Sequence, residues 1–443
     1  MVNQDILAQR LAHLLGAEHV FSDLETRARI KIDGIIPGLV ARPRDASQIS
    51  ELVALARELK AAIVPKGRGN ALQLGRTPSR VDILLDLSLL DRVVEHDQGN
   101  LTITCQAGAP LSSAYDQVEA AGQILPLDPP SAPNRSFGGV VASASVGPSR
   151  LGYGSLRDLL FGVRAVLGTG KAVRFGGKVI KDVAGFNLAR MFIGSLGTLG
   201  IITELTLRLY VRPQVRQTVV ACFDELETAA QALSQFPLPC SGVVAAEILG
   251  SRIKLKVSQL YNGNCLALAF AGLERDVQEL VRRAKDVCAR LKPREIVVLA
   301  GEQDRELWVA IRDLASGYRA DGEGLLLRAT CLVSQQTKLL MALEDLAYEY
   351  GLSLTIWAHA GCGIIYGMVE DGRMAELIRF TAQARSLAHS QGGSLVLESA
   401  PPAVKKEICP WGPVSPGFQL MARIKAGLDP SGIMNPGRFL GGI

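Results

Sequence analysis

The chain has 443 residues, 48% of them hydrophobic, and a net charge of +5, enough for two or three domains with cores of their own. No apolar run approaches the roughly 20 residues that cross a bilayer, and Met1-Val2-Asn3-Gln4-Asp5 lacks the basic and apolar regions of a secretory signal, so a cytoplasmic protein is expected. Lys and Arg are scattered rather than clustered with stacking aromatics, which argues against nucleic acid as a partner.

Asp45 or Ser47 caps a helix whose apolar residues Ile49, Leu52, Val53, Ala56 and Leu59 recur at helical spacing. It leads through Ala61-Ala62-Ile63-Val64 into a first glycine-rich loop, Pro65-Lys66-Gly67-Arg68-Gly69-Asn70-Ala71-Leu72. Val81–Leu87 and Leu101–Cys105 read as short strands, Asp97–Asn100 as a turn and Leu111–Ala121 as a helix. Three prolines in Asp128–Pro133 remove donors and fix φ, so that stretch is a shaped loop. The small residues Gly138–Ala144 that follow suit close backbone contact with a flat ligand. Arg157–Val166 and Lys171–Phe175 flank the turn Gly168-Thr169-Gly170 as a hairpin. A second glycine loop, Gly194-Ser195-Leu196-Gly197-Thr198-Leu199-Gly200, opens an alternating strand that ends at Tyr210, and Val211-Arg212-Pro213 marks a boundary.

Beyond it the strand candidates Thr218–Phe223, Cys265–Phe270, Ile296–Leu299, Leu325–Thr330 and Leu352–Trp357 alternate with helical runs such as Leu273–Leu291 and Thr337–Tyr350, an α+β pattern. Gln419–Leu428 reads as a helix, followed by a closing loop. The expected organisation is therefore a first domain over 1–212, a second over 213–415 and a C-terminal segment over 416–443. Eight cysteines are present without a C-x-x-C pair. Iron–sulfur and structural zinc sites usually draw on such pairs, so no metal site is expected and the cysteines read as separate thiols.

Two glycine loops about 125 positions apart have the composition of backbone cradles for phosphate, and together they point to a bound dinucleotide. The first imitates the Rossmann fingerprint but has Leu72 at the third glycine position, and Gly75 and Pro78 leave no room for the crossover helix. No Gly-Lys-Ser/Thr follows, so it is not a Walker loop.

Val64–Asn70, the Pro-Ser-x-Pro loop before Phe137-Gly138-Gly139, Lys181–Leu188 and Gly194–Gly200 resemble the FAD-binding domain of the vanillyl-alcohol-oxidase/PCMH flavoproteins, and Asn435-Pro436-Gly437-Arg438 resembles that family's closing motif. Within the family the resemblance is nearest to the FAD-binding E subunits of glycolate oxidase complexes, on Arg174-Phe175-Gly176-Gly177 through Gly185 and on Ala358–Gly363. The resemblance implies an α+β protein: a PCMH-type two-lobed FAD-binding domain, a cap domain with a mainly antiparallel sheet, and a C-terminal segment returning to the FAD domain. It implies that FAD is held by Pro65, Lys66, Gly67, Arg68, Gly69, Asn70 and Ala71, by Pro130 and Ser131, by Gly138, Gly139, Ala142 and Ser143, and by Gly194, Gly197, Thr198, Gly200, Ile201 and Ile202. Some relatives attach the flavin through a histidine in the first loop; Asn70 stands there and has no nucleophilic ring nitrogen, so non-covalent FAD is expected.

Relatives that oxidise D-2-hydroxy acids carry His-x-Gly-Asp-Gly-Asn-x-His and a later Glu-His-Gly in the cap, holding a divalent metal and a histidine base. The matching residues here begin at His359 and Glu398, with Tyr366 in place of the second ligand and Ser399 in place of the base. Neutral tyrosine is a poor metal ligand and serine is no base near pH 7, so metal-assisted hydride abstraction is unsupported. His359, Glu398, Tyr366 and Lys181 remain candidates for a catalytic role. The resemblance implies a FAD subunit of a glycolate or D-lactate oxidase complex, partnered by a catalytic flavoprotein and an iron–sulfur subunit and reaching a membrane only through them. The alternative is an autonomous FAD-dependent D-2-hydroxy acid dehydrogenase that orients its substrate with Lys181, Arg190 or Tyr366.

Overall fold

The computed structural model describes residues 2–178, 187–236, 242–254, 263–318, 324–414 and 416–443. Its first sheet has four strands, β1 (Val20–Phe21), β2 (Leu39–Ala41), β3 (Ile63–Lys66) and β4 (Ile83–Asp86), in the order β1-β2-β4-β3. β4 runs parallel to both β2 and β3, while β1 closes the edge antiparallel. Asp45 caps the helix Ala46–Leu59 by accepting from the Gln48 amide at 2.9 Å, and that helix buries Ile49, Leu52, Val53 and Ala56 on the sheet. No helix follows β3; the first glycine loop returns the chain to β4 directly, as the position of Pro78 requires.

The second lobe is an antiparallel sheet. It is built from β5 (Val93–Asp97), β6 (Thr102–Gln106), β8 (Leu160–Leu167), β9 (Ala172–Gly176) and β10 (Gly200–Arg208), ordered β5-β6-β10-β8-β9, with a small pair formed by β7 (Gln123–Ile124) and β11 (Tyr210–Val211). The small-residue stretch after the proline loop is a short helix, Phe137–Ser143, whose cap Ser136 accepts from the Gly139 amide at 3.3 Å.

From β12 (Val215–Phe223) onward the chain builds one eight-stranded sheet with β13 (Val243–Leu249), β14 (Asn264–Gly272), β15 (Glu295–Ala300), β16 (Leu325–Thr330), β17 (Leu354–His359), β18 (Ile364–Val369) and β19 (Ser394–Ser399). Every strand pairing in it is antiparallel. The helices Leu226–Ser234, Glu274–Ala289, Gln336–Glu349 and Met374–Ser390 cover one face over a core that includes Phe223, Phe270, Leu343 and Phe380. The opposite face carries Trp308, Trp357 and Tyr366 and packs against Val146 of the second lobe. Among the described residues no helix is long and apolar enough to cross a membrane.

The tail returns to the first sheet. Ile63 donates to Ile433 O and Asn435 donates to Ile63 O, both at 2.8 Å, so residues 433–435 line the open edge of β3. One expectation is corrected: Cys222 and Cys265 are not separate thiols but a disulfide, because the β12–β14 register sets them directly opposite with Cα atoms 4.1 Å apart. A separation of 43 residues hides that register from the sequence.

Candidate functional site

The two glycine loops and the short helix Phe137–Ser143 meet around one cleft, which encloses about 800 Å³, part of it open to solvent. Three close approaches assemble it. A Cβ on Gly67 would run into Ser136, and one on Gly197 into Pro65, so the first loop touches both the helix cap and the second loop without side chains between. Gly138 donates to Ala107 O at 2.8 Å, and a Cβ there would lie 2.7 Å from that of Ala107. The second loop is fastened by Gly194 and Leu196, which donate to Val141 O and Ala142 O at 2.9 and 2.8 Å. Gly197 has φ +72, the left-handed region that glycine tolerates.

Of the residues expected at this site, Pro65, Lys66, Gly67, Arg68, Gly69, Asn70 and Ala71 line the cleft, as do Gly138, Gly139, Ala142, Ser143, Gly197, Gly200 and Ile202. Gly194, Thr198 and Ile201 lie behind its wall: the Thr198 hydroxyl donates to Ser195 O at 2.7 Å, and Ile201 is buried with the first-lobe core. Pro130 and Ser131 are not part of the lining. Ser131 donates its amide to Asp313 at 2.6 Å and its hydroxyl to Ser316 at 2.7 Å, joining the proline loop to the second domain. The lining also includes Leu87, Ala107, Arg135, Leu196, Asn435 and Arg438, of which Leu196 lies in the second glycine loop and the last two in the closing Asn-Pro-Gly-Arg motif, while the first three carried no signal in the sequence.

The donor set is suited to phosphate. Among the described residues, no protein acceptor takes the amides of Gly67, Arg68, Gly69, Asn70 or Ala71. Lys66 is held by Asp86 at 3.4 Å, and Asp86 is also bound by Arg42 at 3.1 Å. Arg438, 3% exposed, has its guanidinium pulled down to about 10 by burial, with Asp33 opposing. Its Nη1 donates to Arg76 O at 2.9 Å, while Lys405 bonds Asp33 at 2.8 Å. Asn435 Nδ2 donates to Leu196 O at 2.7 Å, and its Oδ1 is buried without a partner among the described residues. Among the described residues no histidine, cysteine or tyrosine lines the cleft.

On the second domain's open face, His359 and Tyr366 are in contact, and Glu398 lies near enough to Tyr366 to help raise its phenol. His359 Nδ1 pairs with Glu247 Oε1 at 2.6 Å. Burial raises the Glu247 carboxyl to about 7, with His359 opposing. Tyr366 sets its ring edge to His359, with centroids 5.1 Å apart, and stacks on Trp357 at 5.3 Å; burial raises its phenol well above the ordinary tyrosine range. Glu398 accepts from Arg328 at 2.7 Å, and although burial works against the guanidinium charge, the Glu398 carboxylate raises it. Lys181, and Gly185 of the motif around it, lie outside the described residues. Among the described residues no three His, Cys, Asp or Glu side chains are grouped to hold a metal ion.

Residues 37–176 match the FAD binding domain family, and residues 212–439 match the family described as FAD linked oxidases, C-terminal domain. The chain is 28% identical to glycolate oxidase subunit GlcD of Bacillus subtilis, over 91% of this chain and 89% of that protein. It is 27% identical to a D-lactate dehydrogenase of Archaeoglobus fulgidus, over 91% of each. Glycolate oxidase subunit GlcE of Escherichia coli is 36% identical, but the match covers 46% of this chain and 58% of that protein. The likeness to an E subunit therefore reaches less of the chain than the likeness to GlcD. Substrate-bound p-cresol methylhydroxylase has the same fold, with a TM-score of 0.76 at 17% identity over 98% of this chain and 96% of that one. The cleft fits FAD: five unengaged amides and the cations Lys66 and Arg438 answer a pyrophosphate, and Leu87, Leu196 and Ile202 offer apolar wall to a flavin.

Proposed function

We propose, since this chain belongs to the FAD-linked oxidases, that it is a FAD-carrying subunit of a multisubunit oxidase or dehydrogenase of glycolate, D-lactate or a related 2-hydroxy acid. The cofactor is FAD and the chain is a FAD-dependent oxidoreductase. Bound FAD supplies a two-electron acceptor. The first glycine loop and residues 138–143 bind its pyrophosphate, Lys66 and Arg438 balance its charge, and Asn435 ties the tail to the second loop beside it. Attachment is non-covalent on this reading, because Asn70 stands where a flavin-bonding histidine would be and, among the described residues, no histidine, cysteine or tyrosine lines the cleft.

The observation behind the subunit role is the Arg328–Glu398 pair. The one carboxylate left from the acid-oxidising pattern is committed to an internal arginine, Ser399 beside it is no base, and His359 gives its Nδ1 to Glu247. Among the described residues, Glu398 and the Nδ1 of His359 are thus already engaged within the protein rather than free for the hydroxyl proton of a 2-hydroxy acid. The oxidation is assigned to a sister flavoprotein, with this chain in the E-type role of relaying electrons or supporting that sister. An iron–sulfur subunit would carry the electrons onward, and the assembly is placed in the cytoplasm, at a membrane only through partners. Co-expression with the neighbouring genes, pull-down on this chain and counting of flavin and iron per complex tests the role. A complex with two flavins and bound iron is expected; a chain that purifies alone with full acid-oxidising activity would sink it.

A further inference from the structure

The second domain holds on to the first glycine loop. The helix Pro402–Glu407, which follows β19, sends Lys405 into the first domain, where its side chain is 1% exposed and its ammonium donates to Gln73 O at 2.5 Å and to Asp33 at 2.8 Å. Gln73 directly continues that loop, whose last residue, Leu72, lines the cleft. Arg438 donates to Leu72 O and, at 2.9 Å, to Arg76 O. Trp411 Nε1 donates to Arg438 O at 3.0 Å, and a Cβ on Gly75 would lie 2.7 Å from the Trp411 ring. Residues 72–76 are thus held by two separate parts of the chain, the tail through Arg438 and the second domain through Lys405 and Trp411. A buried ammonium is costly unless paired and hydrogen-bonded, and filling space alone needs no charge. Asp33 faces Lys405 and also Arg438, 3.8 Å away, so two buried cations share one carboxylate, and an anion in the cleft beside Arg438 would offset the excess.

We propose that Lys405 is a positioning residue for FAD, coupling the seating of the second domain to the shape of the first glycine loop so that FAD binding and domain docking strengthen each other. Lys405 acts through Gln73 and Asp33 and is not itself part of the cleft lining. The proposal rests on FAD occupying the cleft. Such coupling is reciprocal, so it can be read from either end.

FAD is titrated into the full-length chain stripped of flavin, with binding followed by flavin fluorescence, for the wild type, Lys405→Met and Lys406→Met, the last an exposed neighbour on the same helix. Lys405→Met is expected to weaken FAD about tenfold and Lys406→Met less than about twofold. All three tryptophans, Trp308, Trp357 and Trp411, lie in the second domain, so their fluorescence follows its unfolding. FAD should raise that melting temperature in the wild type and raise it less in Lys405→Met. A merely structural lysine would lower the melt equally with and without FAD and leave the FAD affinity within about twofold of the wild type, a result that overturns the proposal. Hydrogen exchange on the wild type decides the question even if Lys405→Met does not fold. FAD should slow the amides of residues 403–411 about fivefold or more, although among the described residues none of that segment lines the cleft. Unchanged exchange there overturns the proposal, whereas a wild-type chain that binds no FAD would remove the reading of the cleft on which it rests.

Discussion

Arg328 on β16 and Glu398 on β19, 70 residues apart in sequence, close a hydrogen bond of 2.7 Å although the register sets Arg328 opposite Val396. The carboxylate that would serve a metal in an acid-oxidising relative is here the counter-ion of a guanidinium. Glu398→Gln is therefore expected to lower stability by about 2 kcal/mol, less than for a fully buried pair because the two side chains are 21% and 27% exposed. The flavin spectrum stays as in the wild type, and EDTA does not change flavin content. Denaturant unfolding and visible absorbance check both points.

Gly197→Val places a side chain against Pro65 at a backbone with φ +72. The left-handed conformation costs about 1–2 kcal/mol for a residue with Cβ, and the collision separates the two loops. The flavin-to-protein ratio of the purified variant should fall by at least about tenfold, with the second domain still folded by circular dichroism. A ratio near that of the wild type would show that contact between the loops does not shape the FAD site.

Asp33 holds Lys405 at 2.8 Å and lies 3.8 Å from Arg438, all three buried. Asp33→Ala leaves two buried cations without their carboxylate, so a loss of about 3–5 kcal/mol is expected. Bound FAD should dissociate at a lower temperature than in the wild type, since Arg438 also lines the cleft. Following flavin fluorescence and protein unfolding in the same melt separates the two events.

Burial raises Glu247 from 4.5 to about 7. The folded state then holds a proton that the unfolded chain releases, so this contribution is fully present below about pH 4.5 and is lost as pH rises through about 7. Its size is on the order of 3 kcal/mol. Wild-type stability should fall across that window relative to Glu247→Gln, whose profile should be flatter. Parallel profiles would place the Glu247 carboxyl near its ordinary value.

Much of this was legible in the sequence, and what was hidden has two causes. Both glycine loops announce themselves because a backbone that must turn tightly and expose its amides excludes side chains locally. The helix Ala46–Leu59 and the hairpin of β8 and β9 follow from local periodicity and turn residues. The helix Phe137–Ser143 did not, because Gly138, Gly139 and β-branched Val140 and Val141 are weak helix formers, and it is the cap Ser136 and close packing on Ala107 that hold it. Strands β13, β18 and β19 were likewise unread. The partnerships Arg328–Glu398, His359–Glu247, Ser131–Asp313 and Cys222–Cys265 depend on strand register and domain contact, which no local pattern encodes. Tyr366 and Ser399 could be read as departures from a pattern, but that Glu398 had gained an arginine could not.

The central claim, that this chain carries FAD without itself oxidising the acid, is tested most directly by anaerobic addition of glycolate or D-lactate to the purified chain under a spectrophotometer. The flavin band should persist in the isolated chain and bleach only when the sister subunits are added. Bleaching of the isolated chain at a catalytic rate would contradict the claim and give this altered face a chemistry of its own.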